Sequence, residues 1–239
     1  MSAKAISLRE TKAQGQPAGS FVDAVRIQES FTARGERKAL HWLVARIPQS
    51  VNSDHLTLLG FAAMFLAGTG YALARWTPAG LLLASAGIIL NWFGDSLDGT
   101  LARVRDCQRP RYGFYVDHII DSVGAVFLMG GLGVSRLIDW RIAAAMLVAF
   151  LLLSIESYLA AYSLRVFRLS FARFGPTEIR LLLIAGNVAL WLHPNAMVAK
   201  LHVRVIDFGG AIAACGMAAM FTASAFRHTR ELYLQETRR

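Results

Sequence analysis

The sequence predicts an all-α integral membrane protein, a bundle of six transmembrane helices preceded by an amphipathic helix at the membrane interface. Of the 239 residues, 55% are hydrophobic and only 17% are charged, and the mean hydropathy of +0.42 lies outside the usual range of soluble domains. Two cysteines, Cys107 and Cys215, are too few to suggest a disulfide framework. Because the first residues contain no apolar stretch of signal-peptide length, we expect no cleaved targeting segment.

The predicted elements follow the chain in order. Residues 1–20 are polar and rich in Gln, Gly and Ser, which predicts a disordered N-terminus. Residues 21–50 form a predicted interfacial segment, because apolar residues recur there at helical spacing beside arginine and lysine. Residues 51–227 carry six apolar stretches of spanning length, and residues 228–239 follow as a cytoplasmic tail. The predicted spans are Leu56–Ala74, Ala79–Ala102, Tyr112–Val134, Ile142–Val166, Glu178–Leu192 and Val205–Phe226.

The placement of lysine and arginine predicts how the chain crosses the membrane. Most of the 25 basic residues lie before the first span, after the second and fourth spans, and after the sixth. Because cytoplasmic segments are enriched in these residues, we expect both termini and the loop after the second span on the cytoplasmic side. The net charge of +9 is then a property of one membrane face. Attraction to anionic lipid headgroups follows from it, and nucleic-acid binding is not expected.

Four aspartates are the most informative residues of the chain. Asp95 and Asp98 lie in the second predicted span, and Asp117 and Asp121 lie in the third. At 100° per residue the members of the two pairs are about 60° and about 40° apart, so each pair occupies one helical face. A short basic loop joins the two spans, so we expect antiparallel neighbouring helices whose carboxylates converge. Four hard oxygen donors in one place suit Mg²⁺ or Mn²⁺ better than zinc.

Small residues and an arginine accompany the aspartates. Gly99 and Gly113 leave room for a helix or a phosphate to approach the backbone, and Ala102 continues the small-residue strip. Arg103 follows at once, and a guanidinium near divalent metals indicates a bound phosphate or pyrophosphate. The group therefore predicts phosphoryl chemistry at the membrane surface. Two other interpretations are ion pairs between the aspartates and neighbouring arginines, or a cation path through a transporter.

The spacing of these residues resembles the signature of the CDP-alcohol phosphotransferase family, also called the CDP-alcohol phosphatidyltransferase family. That signature joins Asp-x-x-Asp-Gly-x-x-Ala-Arg, here Asp95–Arg103, to Gly-x-x-x-Asp-x-x-x-Asp, here Gly113–Asp121. The loop between the two parts is one residue longer than is usual in the family. The resemblance implies a six-span fold, a homodimer, and an enzyme that transfers a substituted phosphate from a CDP-linked donor to a hydroxyl group with release of CMP.

The resemblance also implies roles for individual residues. The four aspartates would hold two divalent metal ions, Mg²⁺ or Mn²⁺, and Asp121 would accept the proton of the attacking hydroxyl. Asn52 lies where many family members carry an asparagine ahead of the first span, although a simple helix cap is the alternative. The residues expected to contact substrate are Asn52, Gly99, Ala102, Arg103 and Gly113.

Two further residues resemble one branch of the family. His118 follows Asp117, and Phe174–Glu178 reads Phe-Gly-Pro-Thr-Glu, and both features are similar to the choline and ethanolamine phosphotransferases. The equivalents of His118 and Glu178 are linked to base function in that branch, so Asp121, His118 and Glu178 are three candidate catalytic bases. As alternatives, His118 orients a neighbouring aspartate and Glu178 stabilises the start of the fifth span.

These features together predict a membrane enzyme of phospholipid biosynthesis. The preferred donor is a CDP-aminoalcohol such as CDP-ethanolamine or CDP-choline, and the acceptor is a lipid hydroxyl. The alternative reaction is phosphatidyl transfer from CDP-diacylglycerol to a polar alcohol. A divalent-cation or proton-coupled membrane transporter is the alternative of another class.

Overall fold

The fold is almost entirely helical. The structure, a computed structural model, describes residues 25–27, 33–164, 166–168, 175–194, 196–198 and 203–237, and the predicted disordered segment 1–20 lies outside them. Within these ranges the helices are α1 (Ala33–Val44), α2 (Ser53–Leu73), α3 (Ala79–Val104), α4 (Pro110–Val134), α5 (Trp140–Ser163), α6 (Pro176–Leu192) and α7 (Val205–Thr237). The short strands are β1 (Val25–Ile27), β2 (Val166–Arg168), β3 (Met197–Val198) and β4 (Val203–Arg204). β1 pairs with β2 in parallel, and β3 pairs with β4 antiparallel.

Five helices are long and apolar enough to cross a membrane, namely α2, α3, α4, α5 and α7. The chain is therefore a helical membrane protein, as predicted. The predicted fifth span, Glu178–Leu192, corresponds to α6, which has 17 residues. At 1.5 Å per residue α6 is about 25 Å long, against a hydrocarbon core of about 30 Å. The predicted count of six spans is for this reason not confirmed.

α2 is the central helix, because α3 and α4 both pack against it. Gly60 and Gly94 meet where α2 contacts α3, and a Cβ atom on Gly94 would lie 2.5 Å from the backbone nitrogen of Gly60. Gly68 and Gly131 meet in the same way between α2 and α4, where a Cβ atom on Gly131 would collide with the Gly68 carbonyl oxygen. Small residues thus allow close backbone contact, as is common between membrane helices. The two aspartate-bearing helices are held beside each other by this shared partner.

The amphipathic helix predicted before the first span corresponds to α1. Leu40 and Val44 of α1 are buried, and they pack against Leu56 of α2 and against Leu97 and Leu101 of α3. The apolar face of α1 is therefore turned toward the helix bundle. Its position in the membrane interface stays a prediction.

α6 runs antiparallel to α3. Near the start of α6, Arg180 contacts Asp95 of α3. Further along, the Asn187 amide nitrogen donates to the Ser85 hydroxyl at 3.0 Å, and its amide oxygen accepts from the Tyr71 hydroxyl at 2.9 Å. Asn187 is the one buried residue of α6. Polar contacts at the start and in the middle of α6 therefore determine much of its position.

α5 packs against α4 and α7. A buried polar pair joins α5 to α7, because His228 Nδ1 lies 2.5 Å from Glu156 Oε1. His228 belongs to the predicted tail 228–239, so α7 continues as a helix through most of that tail. At the other end of α7, Asp207 accepts a hydrogen bond from Arg204 Nε at 2.7 Å.

Candidate active site

The loop between α3 and α4 is anchored to the chain around the start of α2. Arg105 Nη1 donates to the Val51 carbonyl at 2.5 Å, and its Nη2 donates to two further carbonyls before α2, each at 3.0 Å. Arg109 forms an ion pair with Asp54 at the start of α2. The end of α3 and the start of α4 are therefore both fixed relative to α2.

Three carboxylates from α3 and α4 converge in this frame. Asp95 of α3 and Asp117 and Asp121 of α4 each offer an oxygen atom, and these atoms lie within 4.8 Å of one another. Asp117 and Asp121 are one helical turn apart, so both side chains leave α4 on the same face. Two unit charges at this separation repel by about 3.5 kcal/mol at an effective dielectric constant of about 20. The arrangement is favourable only with positive charge nearby.

Asp98 lies one turn from Asp95 but is not a member of this group among the described residues. The Thr57 hydroxyl of α2 donates to Asp98 Oδ2 at 2.7 Å, and the Gly99 N–H donates to Oδ1 at 2.5 Å. The Ser53 hydroxyl also donates to the Asp98 carbonyl at 2.9 Å. The fourth predicted metal ligand is thus oriented by α2. Sequence reasoning missed Ser53 and Thr57, because hydroxyl residues near the start of a helix are common and give no indication of a partner on α3.

Arg180 supplies a cation that the sequence analysis did not assign to the site. Its Nη2 lies 2.5 Å from Asp95 Oδ2, and its Nε donates to Asn91 Oδ1 at 3.0 Å. The Asn91 amide nitrogen in turn donates to the Gly60 carbonyl at 3.0 Å. The insertion cost of an arginine in an apolar helix is similar to that of an aspartate, which indicates that Arg180 is paired but does not indicate its partner.

His118 is buried against α5. Its Nδ1 lies 2.5 Å from the Phe114 carbonyl oxygen one turn earlier, and its ring centroid lies 4.4 Å from that of Tyr158. Because a carbonyl oxygen only accepts hydrogen bonds, Nδ1 carries the hydrogen in the neutral ring and Nε2 is the acceptor nitrogen. His118 therefore has a defined tautomer, and its role as a base stays a prediction.

Glu178 lies in the first turn of α6. Its Oε2 accepts a hydrogen bond from the Gly175 N–H at 2.9 Å. A carboxylate at this position stabilises the start of a helix, which is the alternative role considered for Glu178. Phe174 of the same predicted motif lies outside the described residues.

Asn52 is the N-cap of α2. Its side-chain oxygen accepts from the His55 N–H at 3.0 Å, and His55 Nδ1 accepts from the Asn52 N–H at 3.3 Å. The helix cap considered for Asn52 is therefore present in the structure. Contact between Asn52 and a substrate stays a prediction.

The remaining predicted substrate-binding residues lie at the end of α3 and the start of α4. A Cβ atom on Gly99 would lie 3.3 Å from Arg103 Nη1, and Arg103 Nη2 donates to the Thr100 hydroxyl at 3.1 Å. Ala102 is partly buried beside them. Among the described residues, no atom outside the local backbone of α4 lies within 4 Å of the place where a Cβ on Gly113 would stand, so the first turn of α4 is open there.

A family comparison agrees with this constellation. The sequence model of the family described as CDP-alcohol phosphatidyltransferase matches residues 51–223, which is more than half of the chain. The chain belongs to this family, and the resemblance seen in the sequence is confirmed. The family carries out phospholipid-related phosphotransfer from a CDP-alcohol. A search of curated proteins gives no match to the chain.

The family uses divalent metal ions, and the donor set of the acidic group fits them. Asp95, Asp117 and Asp121 offer carboxylate oxygens, which are the ligands preferred by the hard cations Mg²⁺ and Mn²⁺. In the described part of the chain no histidine or cysteine belongs to the group. This composition favours a hard cation over zinc.

Proposed function

We propose that this protein transfers a substituted phosphate from a CDP-linked donor to a hydroxyl group at the membrane surface and releases CMP. The observation that carries the proposal is the convergence of Asp95, Asp117 and Asp121 within 4.8 Å in a chain of the CDP-alcohol phosphatidyltransferase family. Membership of this family favours phosphotransfer over the transport of cations or protons.

Two divalent ions, Mg²⁺ or Mn²⁺, would be held by the four predicted ligands Asp95, Asp98, Asp117 and Asp121. When bound, such ions neutralise charge on the donor pyrophosphate and on the departing CMP. The contribution of the protein is the position of the ligands. Arg180 holds Asp95 from α6, and Thr57 holds Asp98 from α2.

The CDP-linked donor would lie against the end of α3 and the start of α4. The guanidinium of Arg103 lies beside Gly99, so a phosphate bound by Arg103 can approach the α3 backbone closely. Ala102 has a small side chain and leaves the same surface of α3 uncrowded. The surface of α4 at Gly113 is open, which leaves room for the donor on that side. Asn52 would contact substrate through its side-chain amide nitrogen, because its side-chain oxygen caps the start of α2.

We assign to Asp121 the role of the base that accepts the proton of the attacking hydroxyl. The hydroxyl oxygen forms a bond to phosphorus, the bond from phosphorus to the CMP oxygen breaks, and the proton passes to the Asp121 carboxylate. Asp121 belongs to the acidic group. His118 packs against Tyr158 and is the second candidate, because its Nε2 is an acceptor in the neutral ring. Glu178 is the third candidate base. It ranks last because its carboxylate already accepts a hydrogen bond from the Gly175 N–H at the start of α6.

The donor would be a CDP-aminoalcohol such as CDP-ethanolamine or CDP-choline, with a lipid hydroxyl as acceptor. The adjacency of Asp117 and His118 and the presence of Glu178 at the start of α6 support this donor. Phosphatidyl transfer from CDP-diacylglycerol to a polar alcohol is the second candidate, supported by the description of the matched family as a phosphatidyltransferase. Both reactions release CMP and differ in which substrate carries the acyl chains.

The experiment that tests this function is CMP release by the purified protein in the presence of Mg²⁺ or Mn²⁺. One set of assays pairs CDP-ethanolamine or CDP-choline with diacylglycerol, and a second pairs CDP-diacylglycerol with a panel of polar alcohols. We expect turnover in the first set. Turnover only in the second set would establish the phosphatidyltransferase instead, and no CMP release in either set would contradict the proposed function.

We also propose that both termini and the site face the cytoplasm, which requires an even number of crossings. The contacts of α6 with Asp95 and Ser85 are ten residues apart on α3, or about 15 Å. α6 therefore runs beside the spanning helix α3 over this distance, which supports a sixth crossing. A single cysteine at His193, in a chain with Cys107 and Cys215 replaced by serine, should react with a membrane-impermeant thiol reagent from outside intact cells. Reaction only after lysis would contradict the sixth crossing.

A homodimer is proposed on the family resemblance alone. Sedimentation of the purified protein in detergent should give twice the protein mass of one chain. The mass of a single chain across the working concentration range would contradict it.

A further inference from the structure

A carboxylate of α1 joins three helices. Glu36 Oε1 accepts a hydrogen bond from the Thr177 hydroxyl of α6 at 2.6 Å. The same oxygen accepts from Trp92 Nε1 at 3.0 Å and from the Ser96 hydroxyl at 3.4 Å, both on α3. All three donors are neutral groups from helices distant in sequence, so Glu36 is a shared acceptor for α3 and α6.

These partners adjoin the acidic site. Trp92 and Ser96 directly follow the two α3 residues that Arg180 contacts, and Thr177 lies three residues before Arg180. Residues three apart lie on the same side of a helix, so Thr177 and Arg180 both face α3. Polar contacts at two positions one turn apart therefore tie the start of α6 to α3. The first passes from Thr177 through the carboxylate of α1, and the second is formed by Arg180 with Asn91 and Asp95.

The start of α6 depends on these contacts because apolar packing contributes little there. Ile179, Leu181 and Leu182 have 52%, 54% and 67% of their surface exposed, and the one buried residue of α6 lies two turns further on, at Asn187. Without the bond from Thr177 to Glu36, the start of α6 loses the contact that holds it one turn before Arg180. Arg180 can then move away from Asp95.

We propose that Glu36 is a positioning residue of the active site, which holds the first turn of α6 so that Arg180 orients Asp95. α1 precedes residues 51–223, the part of the chain matched by the family, so the functional unit extends into a helix outside the matched domain. This inference rests on the proposed function, because it concerns the same site.

The test compares Glu36→Ala, Glu36→Gln and Thr177→Val, with Lys38→Ala as a control at an exposed position of the same helix. Glu36→Ala removes the acceptor and is expected to lower kcat for CMP release by about tenfold or more. Glu36→Gln keeps an amide oxygen and should stay within about threefold of the wild type. The KM for the CDP donor should change by less than about twofold, because Glu36 acts through α6. Lys38→Ala should behave as the wild type.

Combination with Arg180→Met separates positioning from a general structural role. If Glu36 acts through Arg180, adding Glu36→Ala to Arg180→Met lowers kcat by less than about threefold further. A double variant whose loss of kcat equals the product of the losses in the two single variants would overturn the proposal. Wild-type kcat in Glu36→Ala would also overturn it. If Glu36→Ala does not fold, Thr177→Val carries the test, because it removes a single hydroxyl, and wild-type kcat in this variant would overturn the proposal.

The fluorescence of Trp92 tests the contact independently of turnover. The emission of Trp92 alone is obtained by subtracting the spectrum of the same protein with Trp92→Phe. We expect Glu36→Ala to shift the emission maximum of Trp92 and Lys38→Ala to leave it unchanged. No shift in Glu36→Ala would overturn the proposal. If Glu36→Ala shifts the Trp92 emission but the wild type releases no CMP, the proposed function is contradicted instead.

Discussion

Replacement of Arg180 by methionine perturbs the acidic site without changing a predicted metal ligand. Methionine keeps much of the apolar stem and removes the guanidinium, so Asp95 loses its partner at 2.5 Å and Asn91 loses its partner at 3.0 Å. Three carboxylates with oxygen atoms within 4.8 Å of one another then lack the charge of Arg180. The metal-free protein should be destabilised for this reason.

The magnitude follows from the geometry and exposure of the ion pair. A hydrogen bond to a charged group contributes about 1.5–3 kcal/mol to stability, whereas complete burial of the pair would raise the cost of breaking it to about 3–5 kcal/mol. The side chains of Arg180 and Asp95 are 15% and 25% exposed, so the lower range applies. A loss of about 1.5–3 kcal/mol corresponds to a decrease of about 3–12 °C in melting midpoint for a chain of this size.

The assay is thermal unfolding in detergent, in EDTA and in MnCl₂. We expect Arg180→Met to melt below the wild type in EDTA and to gain more than the wild type from Mn²⁺, because a bound cation replaces the lost positive charge. Arg204→Met is the matched control, since it breaks the 2.7 Å ion pair with Asp207 away from the acidic group. An equal response of Arg180→Met and Arg204→Met to Mn²⁺ would refute the reasoning, as would an unchanged midpoint of Arg180→Met in EDTA.

Three other sets of variants probe the base, the orientation of a ligand and the helix packing. Asp121→Asn should lower kcat by at least about 100-fold while His118→Gln stays within about tenfold, and the reverse order in kinetic assays would move the base to His118. Thr57→Val removes the 2.7 Å bond to a predicted ligand and should lower kcat by about tenfold; wild-type kcat would show that the bond is dispensable. Gly94→Ala places a Cβ 2.5 Å from a backbone nitrogen and should cost about 1–3 kcal/mol in thermal unfolding. Gly216→Ala, where a Cβ would meet no described residue within 4 Å, should melt as the wild type, and equal midpoints for the two glycine variants would contradict the close packing.

Sequence periodicity predicted the features that depend on a single helix. The apolar stretches anticipated α2, α3, α4, α5 and α7, because spanning length and composition are local properties. The spacing of Asp117 and Asp121 placed both on one face of α4 for the same reason. Hydropathy does not decide whether the 17 residues of α6 cross the bilayer, because that length lies at the lower limit for a span.

Contacts between distant segments could not be predicted from spacing. Arg180 lies 85 residues from Asp95, and Glu36 lies 141 residues from Thr177. The enrichment of arginine on the cytoplasmic side already accounts for an arginine near a helix end, so the charge of Arg180 did not indicate its partner. Likewise, a threonine near the start of a helix is ordinary, and only the packing of α2 against α3 identifies Thr57 as the residue that orients Asp98.

Manganese binding to Asp117→Asn tests the acidic site most directly. Electron paramagnetic resonance would measure Mn²⁺ bound to the purified wild type and to this variant, and CMP release would be measured on the same samples. Removal of one carboxylate from the group at 4.8 Å should weaken Mn²⁺ binding by at least about tenfold and abolish CMP release, while the variant still unfolds in a cooperative melting transition in EDTA. Wild-type Mn²⁺ affinity together with full turnover in Asp117→Asn would contradict the assignment of this group as the metal site of the transferase.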